Sequence, residues 1–144
     1  MEVTLHYLED ELKPRLKNPE TREEAFNELM QISPDRLDVQ TLFYLSHLKS
    51  RYYTYMYKAY EDIEDLRLAI DYCEEVFHIG REYNTFPKKP IYHFPRVYLK
   101  FLLMELTEDP VLQNKQRERV AYYVDKKLCA FPGNPSFLWL KNQL

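Results

Sequence analysis

The sequence predicts an all-α protein, and three observations carry that expectation. Glycine is nearly absent, with 2 residues in 144, while the 9 prolines fall mostly between apolar-periodic segments. That is the punctuation of helices started at proline, since β-folds draw on glycine for their tight turns. Apolar side chains also recur at spacings of three and four nearly throughout, which is the rhythm of one helix face. Finally, the stretch Tyr52–Phe77 holds two such faces back to back. Tyr53, Met56, Tyr57 and Tyr60 form the first, Leu66, Ala69, Ile70, Cys73, Val76 and Phe77 the second, and only the acidic junction EDIED separates them. Helices joined so briefly fold back as a hairpin, and a hairpin needs other helices to cover its apolar faces. The expected architecture is one domain over residues 1–144, with about seven helices in antiparallel pairs that form a short right-handed array or a compact bundle.

Taken in order, Leu5, Leu8, Leu12 and Leu16 stripe a first helix that Pro14 is expected to kink or end. Thr21 followed by Glu24 has the spacing of a capping box, and Ala25, Phe26, Leu29, Met30 and Ile32 give the second helix its inner face. Ser33-Pro34 reads as the next start, for a helix running from about Asp35 to Tyr60 or breaking near Lys49-Ser50. After the hairpin, Gly80 is a stop signal that the following REY could overrun by a turn. Residues 83–95, YNTFPKKPIYHFP, are expected to be an extended Pro-aromatic loop, with Pro95 opening a helix that carries Val97, Tyr98, Phe101 and Leu102. Asp109-Pro110 starts another, with Val120, Val124, Leu128 and Phe131 as its inner stripe. The run Phe131–Pro135 ends it and launches a short helix bearing Phe137, Leu138, Trp139 and Leu140. So apolar a last helix must pack back or dock elsewhere; in a piece of a longer solenoid it would meet the next repeat.

Tyr53, Met56, Tyr57 and Tyr60 on the first helix, with Ala69, Cys73 and Val76 on the second, resemble a tetratricopeptide-type repeat. The departures are bulky Tyr57, where the family has a small residue, and the lack of a proline at the usual distance after the second helix. Ala25, Ala69 and Ala121, the small residues early in each second helix, are unequally spaced and further apart than the roughly 34 residues of the standard repeat. In that family the first helix of each pair lines the concave face. The resemblance therefore puts Arg51, Thr54, Tyr55 and Lys58 on a binding face, with Arg96 and Lys100 on the comparable face of the next pair.

Net charge −3 gives no general attraction to nucleic acid or anionic lipid. No apolar run reaches the length of a membrane span, and the N-terminus lacks the layout of a signal peptide. Cys73 and Cys129 show no metal-ligand spacing and read as small buried residues of a reducing compartment, so the expected location is intracellular and cytoplasmic. Glu75-x-x-His78 has the spacing of a carboxylate-bridged metal helix, but no second copy exists; Glu74 and His78 are expected to pair on the surface. No phosphate loop, nucleophile elbow or activated cysteine is present. Neither catalytic residue, nor cofactor, nor metal is expected.

Six tyrosines between Tyr44 and Tyr60 exceed what one helix face can hold. Tyr55 is the one expected to point outward, beside Arg51 and Lys58. Aromatics with arginine are the usual anchors of interfaces. The leading expectation is thus a non-enzymatic scaffold or adaptor that binds another protein or peptide, acidic or presenting a C-terminal carboxylate, through Arg51, Thr54, Tyr55, Lys58, Arg96 and Lys100. The alternatives are a peptide-sensing regulatory domain and a structural subunit of a larger complex.

Overall fold

The computed structural model describes residues 3–144, and among these every regular element is helical, with no strand. The described residues form seven helices. Helix α1 runs through Leu5–Tyr7, a π-helical turn Leu8–Leu12, and Lys13–Lys17; α2 is Arg22–Met30, α3 Val39–Tyr60, α4 Ile63–Glu82, α5 Pro90–Glu105, α6 Pro110–Ala130 and α7 Pro135–Gln143. The chain divides into two compact units, one ending at Pro87 and the other running from Lys88 to Leu144.

In the first unit, Pro14 neither ends nor breaks α1. The π-turn before it widens the helix, with Lys13 N–H reaching Leu8 O, and Leu8, Leu12 and Leu16 are all fully buried. The expected capping box at Thr21 does not form. Its hydroxyl donates instead to Arg15 O at 2.8 Å, and Arg22 donates from Nε to Leu16 O and from Nη2 to Lys17 O, so the open carbonyls of α1 are met by α2. Arg15 and the Tyr7 hydroxyl converge on Glu28, and the bonded guanidinium holds that carboxyl below its usual range.

Ser33-Pro34 makes only a turn, followed by Arg36 in the left-handed region at φ 66°. The cap of α3 is Asp38, whose carboxylate accepts from Thr41 N–H at 2.8 Å. A carboxylate at a helix start also meets the positive end of its dipole, which Ser33 cannot offer. Helix α3 is then unbroken through Lys49-Ser50. Glu61 ends it in the left-handed conformation at φ 55°, and Asp62 immediately caps α4. The hairpin is therefore antiparallel: Ser50 donates to Ala69 O at 2.7 Å, while Tyr53 stacks on Tyr72. Ala69 is fully buried at this close approach.

Tyr57 is buried in the pair, but Tyr60, expected inside, is 73 % exposed in the last turn, as Met30 is exposed at the end of α2. Gly80 lies within α4, and its role is contact. A Cβ there would fall 2.7 Å from Thr85 O, because the chain leaving the helix turns back across it.

The second unit opens earlier than expected. Pro90 starts α5, so the loop is short and Pro95 sits inside the helix. Pro90 suits the first helical position, where no donor is needed. Pro95 leaves the carbonyl of Ile91 without its helical donor, and Ile91 is exposed, where water can serve. Asp109 caps α6 as expected, accepting from Val111 and Leu112 N–H. The turn between α5 and α6 is latched by Gln113 donating to Met104 O and Thr107 donating to Gln116. Asn134 caps α7, which packs back on α6 through Phe137 and Leu140, both fully buried, and through Lys141–Asp125 at 3.1 Å.

Candidate functional site

The predicted site residues fall in both units. In the first, Arg51 donates from Nη2 to the Tyr55 hydroxyl at 2.8 Å. The guanidiniums of Arg51 and Arg22 lie 5.2 and 5.0 Å from the centre of the Tyr55 ring. Tyr55, expected outward, is thus half-buried between two cations, one of them from α2. The Thr54 hydroxyl donates back to Ser50 O at 2.9 Å within its own helix, and Lys58 is exposed one turn on. Next to this group, Phe26 of α2 stacks on Tyr52 with ring centres 3.7 Å apart. Much of the polar chemistry on this face is therefore engaged inside the unit.

In the second unit, Arg96 and Lys100 lie one turn apart on α5, with His93 a turn before them. Helix α6 runs antiparallel and brings Tyr123, Lys126 and Lys127 opposite. Lys100 Nζ sits 4.3 Å from the centre of the Tyr123 ring, and Lys126 Nζ 5.1 Å from that of Tyr122. Lys127 Nζ meets Nδ1 of buried His93 at 3.0 Å, so the imidazole nitrogen accepts from the ammonium. Burial, and then the charges of Arg96, Lys126 and Lys100, hold the Lys127 ammonium below the usual lysine range. Lys100, Lys126 and Lys127 make no ion pair with the described residues. The seam thus gathers four cations, two of them resting on aromatic faces.

Sequence reasoning named Arg96 and Lys100 but missed His93, Lys126 and Lys127. The available signal was Tyr122/Lys126 and Tyr123/Lys127, each one turn apart beside the valine stripe of α6. The valine stripe of the same helix masks it, because that stripe dominates the pattern along α6. Elsewhere, Cys73 is buried but Cys129 is exposed, and both thiols are free. His78 pairs with Glu82 at 3.2 Å rather than with Glu74. No group of three or more His, Cys, Asp or Glu side chains among the described residues is placed to hold a metal ion, and no helix among them is long and apolar enough to cross a membrane. Set against known families, curated proteins and solved structures, the chain matches none.

Proposed function

We propose that this chain is a non-enzymatic, tetratricopeptide-like helical scaffold that holds an acidic segment of another protein on the α5–α6 seam. The observation that carries this reading is the convergence of Arg96, Lys100, Lys126 and Lys127 on one seam, where burial first and then the neighbouring cations hold the Lys127 ammonium below the usual lysine range. A carboxylate-bearing ligand relieves that repulsion and gains charge-assisted hydrogen bonds. Tyr122 and Tyr123 add flat, partly apolar area at little entropic cost. The pairs α3–α4 and α5–α6 are read as two repeats, and two free thiols suit the reducing cytoplasm.

The test is fluorescence anisotropy with a labelled Glu/Leu peptide, comparing wild type with Lys100→Glu/Lys126→Glu. The double variant binds at least about tenfold more weakly with an unchanged far-UV spectrum, and added salt weakens the wild-type complex. Unchanged affinity in a folded double variant overturns the reading. Lys58→Glu, assayed in parallel, reports whether the α3 cation takes part.

A further inference from the structure

We infer that the outer groove between α3 and α4 is a docking site for a basic segment of another protein, one that inserts a bulky apolar side chain flanked by Lys or Arg. This site is separate from the cationic seam: all its residues belong to the first unit, and it selects the opposite charge.

The groove has a volume of about 400 Å³, within the usual range of ligand pockets. Its floor is apolar, made by Leu42 and Leu45 of α3 and Ile79 of α4, all buried. Along α4 the acidic residues Asp71, Glu75 and Glu82 edge it over three turns, a span of about 16 Å at the helical rise. That length admits a short segment rather than a small molecule alone. Asp71 and Glu75 make no ion pair with the described residues, whereas Glu82 holds His78.

Two polar groups also line the groove. Ser46 lines it at 7 % exposure, and its hydroxyl has no hydrogen-bond partner among the described residues. That hydroxyl is open to water at the groove wall, so a peptide N–H or C=O laid there exchanges a water bond for a direct one. Lys49 is half-buried with its ammonium 5.7 Å from the centre of the Tyr72 ring, makes no ion pair, and has Glu75 as its nearest compensating charge. One ammonium against three carboxylates leaves the rim negative, so an incoming segment is favoured if it is cationic. An apolar floor with a charged rim is also the usual anatomy of a peptide groove.

The probe is a fluorescein-labelled amphipathic peptide of Leu and Lys, with a Leu/Glu peptide as its counterpart, titrated with the full chain. The Leu/Lys peptide binds and the Leu/Glu peptide does not compete for the groove. Asp71→Lys/Glu75→Lys weakens binding by at least about tenfold, while Glu20→Lys/Glu118→Lys, the same change in net charge placed elsewhere, weakens it less than about twofold. Ser46→Ala, which keeps the helix, weakens the complex too and carries the test if the charge reversal fails to fold.

The proposal is overturned if the Leu/Lys peptide does not bind, if both double variants lose affinity equally, or if Ser46→Ala binds unchanged. A chain that is dimeric alone and monomeric as Asp71→Lys/Glu75→Lys also overturns it, since a second copy would then fill the groove. Loss of binding by Lys100→Glu/Lys126→Glu to the acidic peptide leaves this result untouched, so the two readings fail separately.

Discussion

Helices α3 and α5 each open an antiparallel pair, and each carries Arg or Lys beside tyrosine, yet the two make opposite use of them. On α3, Arg51 is bonded to Tyr55, Tyr55 is shared with Arg22, and Thr54 is turned back on its own helix. On the α5–α6 seam, the Lys100 and Lys126 ammoniums lie over tyrosine rings on residues that stay exposed. The difference comes from a neighbour. Helix α2 lays Arg22 and Phe26 over Tyr55 and Tyr52, which turns an exposed recognition pattern into a packed one. In the second unit α7 packs through Phe137 onto Phe94 and Phe131, and leaves Lys100 and Lys126 exposed. A residue pattern on one helix thus sets what chemistry is available, and the next helix in space sets whether it is spent.

If apolar packing holds both pairs and the seam cations contribute little to it, the effects of substitution follow in order. The largest is expected for Phe137→Ala, which empties a fully buried ring site and should cost about 3–5 kcal/mol. The single tryptophan, Trp139, lies 6.0 Å from the Tyr98 ring in the same unit, so denaturant unfolding followed by its fluorescence reads this loss directly. Next is Ala69→Leu. It overpacks the closest point of the α3–α4 pair and strains the Ser50 bond to its carbonyl, for about 1–3 kcal/mol. Phe86→Ala, in the loop and mostly exposed, should shift the melting temperature less than Ala69→Leu does.

Acid sharpens the contrast from another side. Burial, then the charges of Arg51 and Lys13, push the His47 imidazole down from 6.5 to about 3. Between those values the unfolded chain holds a proton that the folded chain does not. Stability from this group is therefore full above about pH 6.5 and falls as pH drops toward 3. Melts at pH 7 and pH 5 should differ by about 2 kcal/mol, and a folded His47→Gln variant should lose most of that difference. The smallest effect belongs to Lys100→Glu/Lys126→Glu, which should leave the melting temperature unchanged because exposed charges add little to stability. A marked drop there would mean that the seam is structural, and the contrast with α3 would fail.

The helices themselves were legible in the sequence, because apolar period and proline placement are local signals. Asp109 acts as the cap its position before Pro110 suggests, and the run Phe131–Pro135 ends one helix and starts the next. What local signals missed depended on tertiary partners. Thr21 has the spacing of a capping box, but its hydroxyl is turned to donate to Arg15 O and accepts no N–H of the next helix, and Pro95 reads as a start although Pro90, five residues earlier, already serves. The candidate site was half legible. Arg96 and Lys100 share a face by spacing alone, but Lys127 and His93 meet across two helices, and no pattern along the chain encodes a 3.0 Å contact between residues so far apart. The α3–α4 groove was invisible for the same reason, since Lys49, Ser46 and Glu75 mean nothing together until the hairpin closes.

The π-turn in α1 has a bearing on how this segment tolerates change in length. Four residues of a regular α-helix overshoot one turn by about 40°, so a strict four-residue leucine repeat spirals away from the surface it covers. The extra residue in the turn Leu8–Leu12 unwinds that overshoot, which keeps Leu8, Leu12 and Leu16 in register over the same ground. Deleting one residue from that turn would regularise the backbone and still misalign the segment, rotating everything before it by about 100° and driving the Pro14 ring toward a carbonyl one turn back. The irregular turn works as a phase correction between a period-four sequence and a period-3.6 helix.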